Sequence, residues 1–351
     1  MKEVLYISNV EVPYRNEFFN QLALKCNLTV LYEKSKSAER DEKWTKSIER
    51  KYNVEYLDGV HVGGDNYFNL KILKYVLHKY DVIIIGCYNS LVQSMAILFM
   101  RVIGKKYIVN LDGEIFLHEN SIKTTLKKFL LKGASHYLIA GDSAQKSLAQ
   151  IIDNNKITSY PFSSLTRRDI DMNSELNNMK RDGILVVGQY YDYKGLDIAV
   201  EVAKEMPDVE WTFVGTGRKT ERFCEEQQIK EYKNIKVILF LQKKELYEAY
   251  RKCRVLVLPS RQECWGLVVN EAASIGTPIV ATWGSGAAVD YLSDSQYRCF
   301  LAKPDDTQDL KKKVEDCLKQ KSDEYSDFLV RKSKMYTIEK CVEKYMSVIE
   351  E

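Results

Sequence analysis

Proline, histidine and long apolar runs are all scarce in this sequence of 351 residues. Only 6 prolines are present, so little of the chain reads as stiff linker or low-complexity tail. The 4 histidines show no spacing typical of a zinc site, and we expect no metal requirement. There is also no repeat of fixed period, so the chain has to be read as ordinary globular domains.

Signals for crossing or entering a membrane are missing as well. The first residues, MKEVLYISNV, lack the apolar core of a signal peptide. The longest apolar stretch, 91–103, is interrupted by Gln93, Ser94 and Arg101 and is too short to span a bilayer. The 8 cysteines are scattered without a Cys-x-x-Cys pair. We therefore expect a cytoplasmic protein with reduced thiols.

The charge is uneven along the chain. Residues 1–170 hold 24 Lys or Arg against 18 Asp or Glu, although the net charge of the whole chain is only +3. A mildly basic amino half suits an anionic partner, but the excess is too small for a nucleic-acid binder. On charge alone, an uneven solvated surface is the preferred explanation of this pattern.

What the chain does have is an alternation of short β-branched or aromatic runs with longer helical patterns. Hydrophobic residues make up 45% and charged residues 29%, and the length suits two domains. Such alternation predicts parallel sheets with helices on both faces. The predicted strands are 4–8, 28–32, 82–86, 107–110, 137–140, 184–188, 211–215, 236–240, 255–259 and 278–281.

A polar passage at 163–182 interrupts this pattern and predicts the connection between the domains. We expect an α/β fold with two Rossmann-like, doubly wound domains that face each other across a cleft. Residues 1–170 would form the first, 171–182 a linker and 183–335 the second. The stretch 306–350 is mostly helical by pattern, and a helix at about 336–351 could pack back on the first domain. Ligands of such folds bind at the carboxyl ends of the strands.

The most informative stretch is PSRQECWGLVVNEAASIGTPIVAT at 259–282. It follows a predicted buried strand and predicts a helix that begins near Trp265 or Gly266. The start of a helix presents free backbone amides and the positive end of its dipole, and Gly266 leaves them open to a ligand. An anion, above all a diphosphate, is the natural ligand of such a helix start.

Two glutamates bracket this helix start. Glu263 lies in the loop before it, and Glu271 lies about a turn and a half inside, so their backbones are on the order of 10 Å apart. They cannot act together on one atom, but one could bind a sugar and the other a ribose, with phosphates between them. A polar loop followed by a surface glutamate produces the same spacing by chance.

The residues around this pair resemble the Glu-x7-Glu signature of glycosyltransferase family 4, whose members are retaining enzymes with the GT-B fold. VGQYYDYKGLD at 187–197 resembles that family's first phosphate loop, and VLVLPS at 255–260 resembles the strand before the signature. The resemblance is nearly continuous over 184–290. In the amino half only VPYRNEFFNQLA at 12–23 carries it. It implies a hexosyltransferase of the bacterial surface-polysaccharide type.

Roles follow from this resemblance residue by residue. Lys194 would bind the diphosphate of a nucleotide-sugar donor, beside Gly188 and Gln189, and stabilise the charge that develops as the bond breaks. Glu263 would contact the donor sugar and Glu271 the ribose. The stretch from the aromatic position to the first turn of the helix would complete the donor site: Trp265, Gly266, Leu267 and Val268. No cofactor is implied, because the nucleotide sugar is a substrate, and the acceptor would be a glycan or a lipid-linked glycan.

The sequence also departs from the family pattern. Gln189 replaces an arginine, which removes a cation from the phosphate site or shifts its duty to Arg15 or Arg261. Family members often carry a histidine after the fourth strand of the first domain, and here NLDGE at 110–114 stands in its place. Asp112, as a catalytic residue, or Glu114 would serve instead, although Asp-Gly is equally a turn. His118 and Arg15 are further candidates for the acceptor or a phosphate.

Residues 121–133, SIKTTLKKFLLKG, predict a basic amphipathic helix. Such a helix can lie on an anionic membrane surface, here the inner face of the plasma membrane, but an ordinary core-facing helix has the same pattern. Membrane contact through 121–132 therefore stays open at this point.

A double Rossmann-like chain could also have another function. VGTGRKT at 214–220 has two glycines and no third, and no acidic residue follows the next strand, so a dehydrogenase is excluded. A sugar-nucleotide epimerase or hydrolase of the same fold stays open. So does a non-catalytic nucleotide-sugar-binding partner, which the exchange at Gln189 favours.

Overall fold

Two parallel β-sheets organise the chain, each in its own compact unit. The computed structural model describes residues 1–35, 49–63, 66–86, 90–113, 122–175, 181–215, 217–320 and 322–351. The first unit is Met1–Ser164 together with Ile338–Glu351, and the second unit is Leu165–Thr337. The second unit is thus inserted between the two parts of the first.

The first unit carries a seven-stranded sheet and a hairpin. Its strands are β1 (Glu3–Val10), β2 (Asn27–Lys34), β3 (Asn53–Tyr56), β4 (Val60–Gly63), β5 (Asn66–Phe68), β6 (Val82–Ile85), β7 (Ile108–Leu111), β8 (His136–Ala140) and β9 (Ile157–Tyr160). The sheet order is β3-β2-β1-β6-β7-β8-β9, with every neighbouring pair parallel, and β4 pairs with β5 as an antiparallel hairpin.

Helices cover both faces of this sheet. They are α1 (Pro13–Ala23), α2 (Lys71–Leu77), α3 (Leu91–Val102), α4 (Ile122–Leu131), α5 (Asp142–Leu148) and α14 (Ile338–Ile349). Successive strand residues point to opposite faces. Leu5 therefore packs in the core cluster under α2 to α5, whereas Tyr6 contacts Phe19 of α1 at a ring distance of 4.9 Å. Phe18 of α1 in turn contacts Tyr345 of α14 at 4.7 Å, so α1 and α14 share the other face.

The second unit repeats the design with six strands. They are β10 (Ile184–Val187), β11 (Trp211–Val214), β12 (Ile235–Ile238), β13 (Val255–Leu258), β14 (Ile279–Thr282) and β15 (Leu301–Ala302), in the order β12-β11-β10-β13-β14-β15. Its helices are α6 (Arg167–Glu175), α7 (Leu196–Lys204), α8 (Thr220–Glu226), α9 (Lys243–Lys252), α10 (Leu267–Ser274), α11 (Gly286–Leu292), α12 (Thr307–Lys319) and α13 (Ser322–Ser333).

All ten strands predicted from the sequence overlap strands of the structure, and the prediction of an α/β fold with two parallel sheets is confirmed. The strands that the pattern did not predict are β3, the hairpin β4-β5, β9 and β15. β3 and β9 lie at the two edges of the first sheet, and each of their sequences, NVEY and ITSY, contains two polar residues among four. The buried parallel strands were predicted from continuous apolar runs. A strand at the edge of a sheet needs no such run, so this pattern did not reveal β3 and β9.

The predicted linker at 171–182 is wrong at its start, where the structure continues helix α6. Thr166 and Asp169 cap this helix reciprocally: Asp169 N donates to Thr166 Oγ1 at 3.1 Å, and Thr166 N donates to Asp169 Oδ2 at 2.8 Å. Ile170 is fully buried, and Asn173 donates to Ser274 Oγ at 2.9 Å. The sequence of α6 did not predict a helix because few of its described residues are buried, so it has little apolar periodicity.

None of the helices in the described part of the chain combines the length and the apolar character needed to cross a bilayer.

Candidate functional site

The second sheet changes direction between β10 and β13. From β10 the chain moves outward to β11 and β12, and from β13 it moves outward to β14 and β15 on the other side. The loops that follow β10 and β13 therefore diverge and leave a crevice at the carboxyl ends of these strands. Lys194 lies in the first of these loops and Glu263 in the second.

Gly195 brings the two loops into direct contact. Its φ is +64°, and a Cβ atom here would lie 2.2 Å from the carbonyl oxygen of Pro259. The amides of Arg261 and Gln262 both donate to the carbonyl oxygen of Tyr193, at 2.9 and 3.2 Å. Only glycine permits this approach with this backbone conformation. This explains why a glycine follows Lys194 in the motif.

Arg261 fastens the same contact with its side chain. Its Nη1 and Nη2 donate to the carboxylate of Asp197 at 2.9 and 2.6 Å, and its Nε donates to Asp305 Oδ1 at 2.6 Å. Nη1 also donates to the carbonyl oxygen of Asp192 at 2.6 Å. The hydrogen bond with Asp197 is the largest cause of the raised pKa of Arg261. This guanidinium holds the loop that carries Lys194, and its nitrogens are already engaged by protein oxygens.

Lys194 and Glu263 form an ion pair in which Nζ donates to Oε2. Both side chains are mostly buried, with 21% and 15% of their surfaces exposed. The backbone of Glu263 is held by the loop after β14, because its amide donates to Gly284 O at 2.7 Å and its carbonyl accepts from Gly286 N at 3.2 Å. The carboxylate is therefore placed firmly beside the ammonium.

The two glycines of that third loop are required by close packing. A Cβ at Gly284 would lie 2.6 Å from the carbonyl oxygen of Ser260, and one at Gly286 would lie 2.4 Å from that of Cys264. Three loops, after β10, β13 and β14, are thus packed backbone against backbone around the Lys194–Glu263 pair.

Helix α10 begins directly after this pair. Gly266 precedes the helix with φ +101°, and its carbonyl accepts the first helical hydrogen bond from Val269 N at 3.0 Å. Gly266, Leu267 and Val268 are all partly exposed, so the first turn is not sealed in the core. The amides of a first turn have no partner within the helix, and here no capping side chain is present at residue 266 to satisfy them.

Trp265, which the resemblance placed in the donor site, has its side chain in the core. Only 3% of the residue is exposed. The indole Nε1 donates to Asn270 Oδ1 at 2.9 Å, and Asn270 Nδ2 donates to Tyr291 OH at 3.3 Å. The ring anchors the start of α10 to α11. Its position in the motif is explained by packing.

Glu271 lies on the side of α10 that packs against α9. Tyr250 OH donates to its Oε2 at 2.9 Å, and Tyr250 itself is fully buried. Burial raises the pKa of the Glu271 carboxyl, while the hydrogen bond from Tyr250 and the charge of Lys243 lower it in part. The carboxylate keeps a fixed orientation because one of its oxygens is held by a buried hydroxyl.

Gly188 and Gln189 follow β10. Gly188 N donates to Val214 O at 2.9 Å, and a Cβ at residue 188 would lie 3.9 Å from Lys194 Cδ, so the lysine side chain runs along this glycine. Gln189 is exposed at the surface. With Arg261 engaged elsewhere, Lys194 is the cation that the described loops bring to the start of α10.

In the first unit, Arg15 and Asp112 form an ion pair of their own. Arg15 is 5% exposed and also donates to Tyr6 OH at 3.2 Å. Asp112 Oδ1 accepts from Asn110 Nδ2 at 2.8 Å and from Tyr160 OH at 3.2 Å. Arg15 is thus a buried partner of Asp112, whereas the side chain of Asp112 is more than a third exposed at the end of β7.

The turn at Asp112-Gly113 and a site role for Asp112 are compatible in the structure. Gly113 has φ +139°, as a turn glycine does, and Asp112 is held immediately before it. Glu114 and His118 lie outside the described residues. So do Ser121 and the side chains of several residues in α4.

Two buried glutamates at the carboxyl edge of the first sheet escaped the sequence analysis. Glu33, at the end of β2, accepts from Ser90 Oγ and from Gln93 Nε2, each at 2.5 Å, and burial raises its pKa. Glu11, after β1, accepts hydrogen bonds from Arg50 Nε and Nη2 at 2.8 and 2.9 Å. An acidic residue shortly after the predicted strands 4–8 and 28–32 was the available signal, since that edge of a doubly wound sheet binds ligands.

Within the part of the chain that the structure describes, no three His, Cys, Asp or Glu side chains are grouped so that they could hold a metal ion.

Comparison with known proteins agrees with this arrangement. Residues 167–334 match the family model of the glycosyl transferases group 1. An uncharacterized glycosyltransferase of Methanocaldococcus jannaschii is 25% identical over 312 residues, which cover 85% of this chain and 81% of that protein. Sulfoquinovosyl transferase SQD2 of Arabidopsis thaliana is 30% identical over 177 residues, which cover 49% of this chain and 33% of that protein.

A solved structure matches the whole length. HepE of Anabaena, crystallised in complex with UDP and glucose, superposes with a TM-score of 0.72 at 14% identity, covering 100% of both chains. This similarity shows the GT-B fold of two parallel-sheet α/β domains. The family match and the named relatives support a glycosyltransferase.

Proposed function

We propose that this chain is a retaining glycosyltransferase of family 4. It transfers a hexose or a related sugar from a nucleotide-diphosphate sugar to a glycan or a lipid-linked glycan. The expected setting is the cytoplasmic side of capsule, exopolysaccharide or lipopolysaccharide assembly, and no cofactor or metal is needed.

The observation that carries this proposal is the Lys194–Glu263 ion pair at the open start of α10. An ammonium has three donors, so Lys194 can hold Glu263 and a phosphate oxygen at the same time. Because the backbone of Glu263 is fixed by the third loop, the carboxylate is available to accept hydrogen bonds from sugar hydroxyls. The first-turn amides of α10 supply further donors to the diphosphate.

In the proposed reaction the bond between the anomeric carbon and the phosphate oxygen breaks while positive charge develops on the sugar. Lys194 and the amides of Gly266, Leu267 and Val268 stabilise the charge on the leaving diphosphate. The acceptor hydroxyl forms its bond to the anomeric carbon on the same face, and its proton passes to the departing phosphate oxygen. Glu263 is occupied by Lys194, which favours a role in holding the sugar over one as a covalent nucleophile.

Asp112 is our candidate for the acceptor side of the reaction. One of its oxygens is engaged by Arg15, Asn110 and Tyr160, so the carboxylate is oriented before any ligand arrives. A partly exposed, oriented carboxylate is suited to accepting hydrogen bonds from a hydroxyl. Arg15 is buried and orients the Asp112 carboxylate, and it is not proposed as a direct phosphate ligand.

A UDP sugar is the first donor to test, because the HepE structure contains UDP and glucose. Thermal-shift measurements should be made with UDP, GDP, ADP and dTDP sugars. The sugars of one of these nucleotides should raise the apparent melting temperature, since a ligand that binds the native state stabilises it. The anomer of the product, read by proton NMR, should match that of the donor. An inverted anomer, or no nucleotide sugar that binds, contradicts the proposal.

Gln189 is the observation that favours a second candidate, a non-catalytic partner that binds the nucleotide sugar. That protein would show donor binding by thermal shift and no turnover with any acceptor. An epimerase or hydrolase of the same fold would instead consume donor with no acceptor present. Donor consumption, measured with and without a panel of glycan acceptors, therefore separates the three functions.

A further inference from the structure

Helix α3 is apolar on both of its sides. Val92, Ala96, Ile97 and Met100 are buried against the first sheet. On the outward side, Leu91, Leu98 and Val102 are 39%, 42% and 84% exposed. These three residues, seven and four positions apart, lie on one face of the helix, and we name them the outer stripe. A surface helix of a globular protein is normally polar on that side.

The helices around the outer stripe carry charge of one sign. Helix α3 contacts α2 on one flank and α4 on the other. Residues 69–80, 90–106 and 122–134, which include these three helices, contain ten Lys or Arg and no Asp or Glu. The rest of the chain carries all 49 acidic residues, so the depletion here is specific to these helices. The described hydrogen bonds bring two acidic side chains to these segments. Glu55 of edge strand β3 accepts from Tyr75 OH. Glu33, which is 3% exposed, accepts from Ser90 and Gln93 at the buried start of α3.

Apolar and cationic groups are interleaved on this face. Phe129 of α4 is half exposed, and Arg101 of α3 packs its guanidinium 4.3 Å from the ring centre while donating to Phe129 O at 2.8 Å. Lys128 and Lys132 are exposed on either side of Phe129 in the sequence. An exposed ring flanked by exposed ammonium groups suits a boundary between hydrocarbon and anionic headgroups.

The hairpin extends the apolar area. β5 contacts α3, and Val60, Val62 and Phe68 of the hairpin are exposed. The outer stripe, Phe129 and these hairpin residues together form what we name the α3 face. Exposed apolar residues gathered on neighbouring elements indicate an interaction surface.

We propose that the α3 face docks on an anionic lipid bilayer. The outer stripe and Phe129 enter the interfacial region, and the flanking lysines contact the anionic headgroups. The charge pattern favours this occupant over a second copy of the chain. A two-fold dimer would press the same cationic face against itself, and like charges would then oppose the contact.

The sequence pattern left membrane contact through 121–132 open, whereas the proposed contact is centred on α3. It concerns a surface remote from the Lys194–Glu263 pair in the sequence and does not rest on the proposed function. Vesicle binding is measured without donor or acceptor, so it can fail while the transferase activity stands, and the reverse also holds.

The test is flotation of the full-length protein with vesicles of phosphatidylcholine alone or of phosphatidylcholine mixed with phosphatidylglycerol. The protein should float with the anionic vesicles and be released by added salt, because salt screens surface charge. Leu98→Asp with Val102→Asp, and separately Lys128→Glu with Lys132→Glu, should each weaken binding about tenfold or more.

The matched control is Leu24→Asp with Lys25→Glu. This exposed leucine and lysine follow α1, which packs on the opposite face of the same sheet, so binding should not change. Circular dichroism confirms that each variant is folded. Absence of flotation with anionic vesicles, or equal flotation with neutral ones, overturns the proposal. Sedimentation showing a dimer that Val102→Asp dissociates would assign the α3 face to a second copy and overturn it too.

Discussion

Lys194 and Glu263 are 69 residues apart in the sequence and form one ion pair at the start of α10. They come together because β10 and β13, which precede them, are neighbours in the sheet, and because Gly195 and Arg261 fasten the two loops. The pair is thus a product of the sheet order. The pair lies beside the first-turn backbone amides of α10, which makes it the centre of the proposed donor site.

Removing either member should damage donor use while leaving the fold intact. We expect Lys194→Ala and Glu263→Gln each to lower kcat/KM by on the order of 10²–10³, because a preorganised donor or acceptor at the leaving group or sugar is lost. Steady-state kinetics with the donor found by thermal shift measure this. The controls are Lys236→Ala and Glu210→Gln, which break an exposed Lys–Glu pair of the same unit. Unchanged kinetics in both site variants would refute the assignment.

Gly195→Ala should destabilise the protein more than Gly217→Ala. The two glycines have nearly equal φ values, +64° and +62°, so both variants carry the left-handed strain of about 1–2 kcal/mol. Among the described residues, no atom lies within 4 Å of a Cβ at Gly217, whereas Pro259 O lies 2.2 Å from one at Gly195. The clash should add roughly 1–3 kcal/mol. Urea unfolding of the two variants compares them, and equal losses would disprove the close approach.

The Arg15–Asp112 pair should show strong coupling. Asp112→Ala leaves a buried guanidinium without its carboxylate and should cost about 3 kcal/mol of unfolding free energy. Arg15→Met leaves Asp112 partly in water and should cost less, about 1–2 kcal/mol. In the double variant neither charge is stranded, so the loss should be smaller than the sum of the two. Denaturant unfolding of the four proteins gives the coupling energy, and additive losses would argue against the pair.

Glu271 should make stability depend on pH in a defined direction. Burial raises its pKa above the ordinary 4.5, so between 4.5 and the raised value the folded protein binds this proton more tightly than the unfolded chain does. Its contribution to stability is therefore largest below this window and falls as pH rises through it.

Glu271→Gln removes that titration and keeps an oxygen for Tyr250. The free energy of unfolding of the natural protein, minus that of the variant, should thus decrease as pH rises from about 4 toward 7. Urea unfolding at several pH values measures the difference, in which all other titrating groups cancel. A difference that increases with pH would mean that the carboxyl pKa is lowered on folding, contrary to the structure.

The sequence alone determined the elements with a strong local pattern. Buried parallel strands such as Val255–Leu258 are continuous apolar runs, and the helix after Gly266 begins where a flexible glycine meets an apolar period. Glu263 and Glu271 stood out because they bracket the predicted helix start, and Lys194 stood out because its loop resembles the first phosphate loop of family 4. Edge strands β3 and β9 escaped because half-buried strands carry no such run.

Tertiary structure decided which of the polar residues face each other and which are buried. Arg15 and Arg261 look like free cations in the sequence, and the fold engages them with Asp112 and Asp197. Trp265 looks like a ligand contact, and the fold points its indole at Asn270. The exposed side of α3 could not be told from its buried side, because both are apolar. Local pattern sets where a strand or helix forms, but burial and charge pairing depend on contacts between residues far apart in the chain, which only the assembled sheets create.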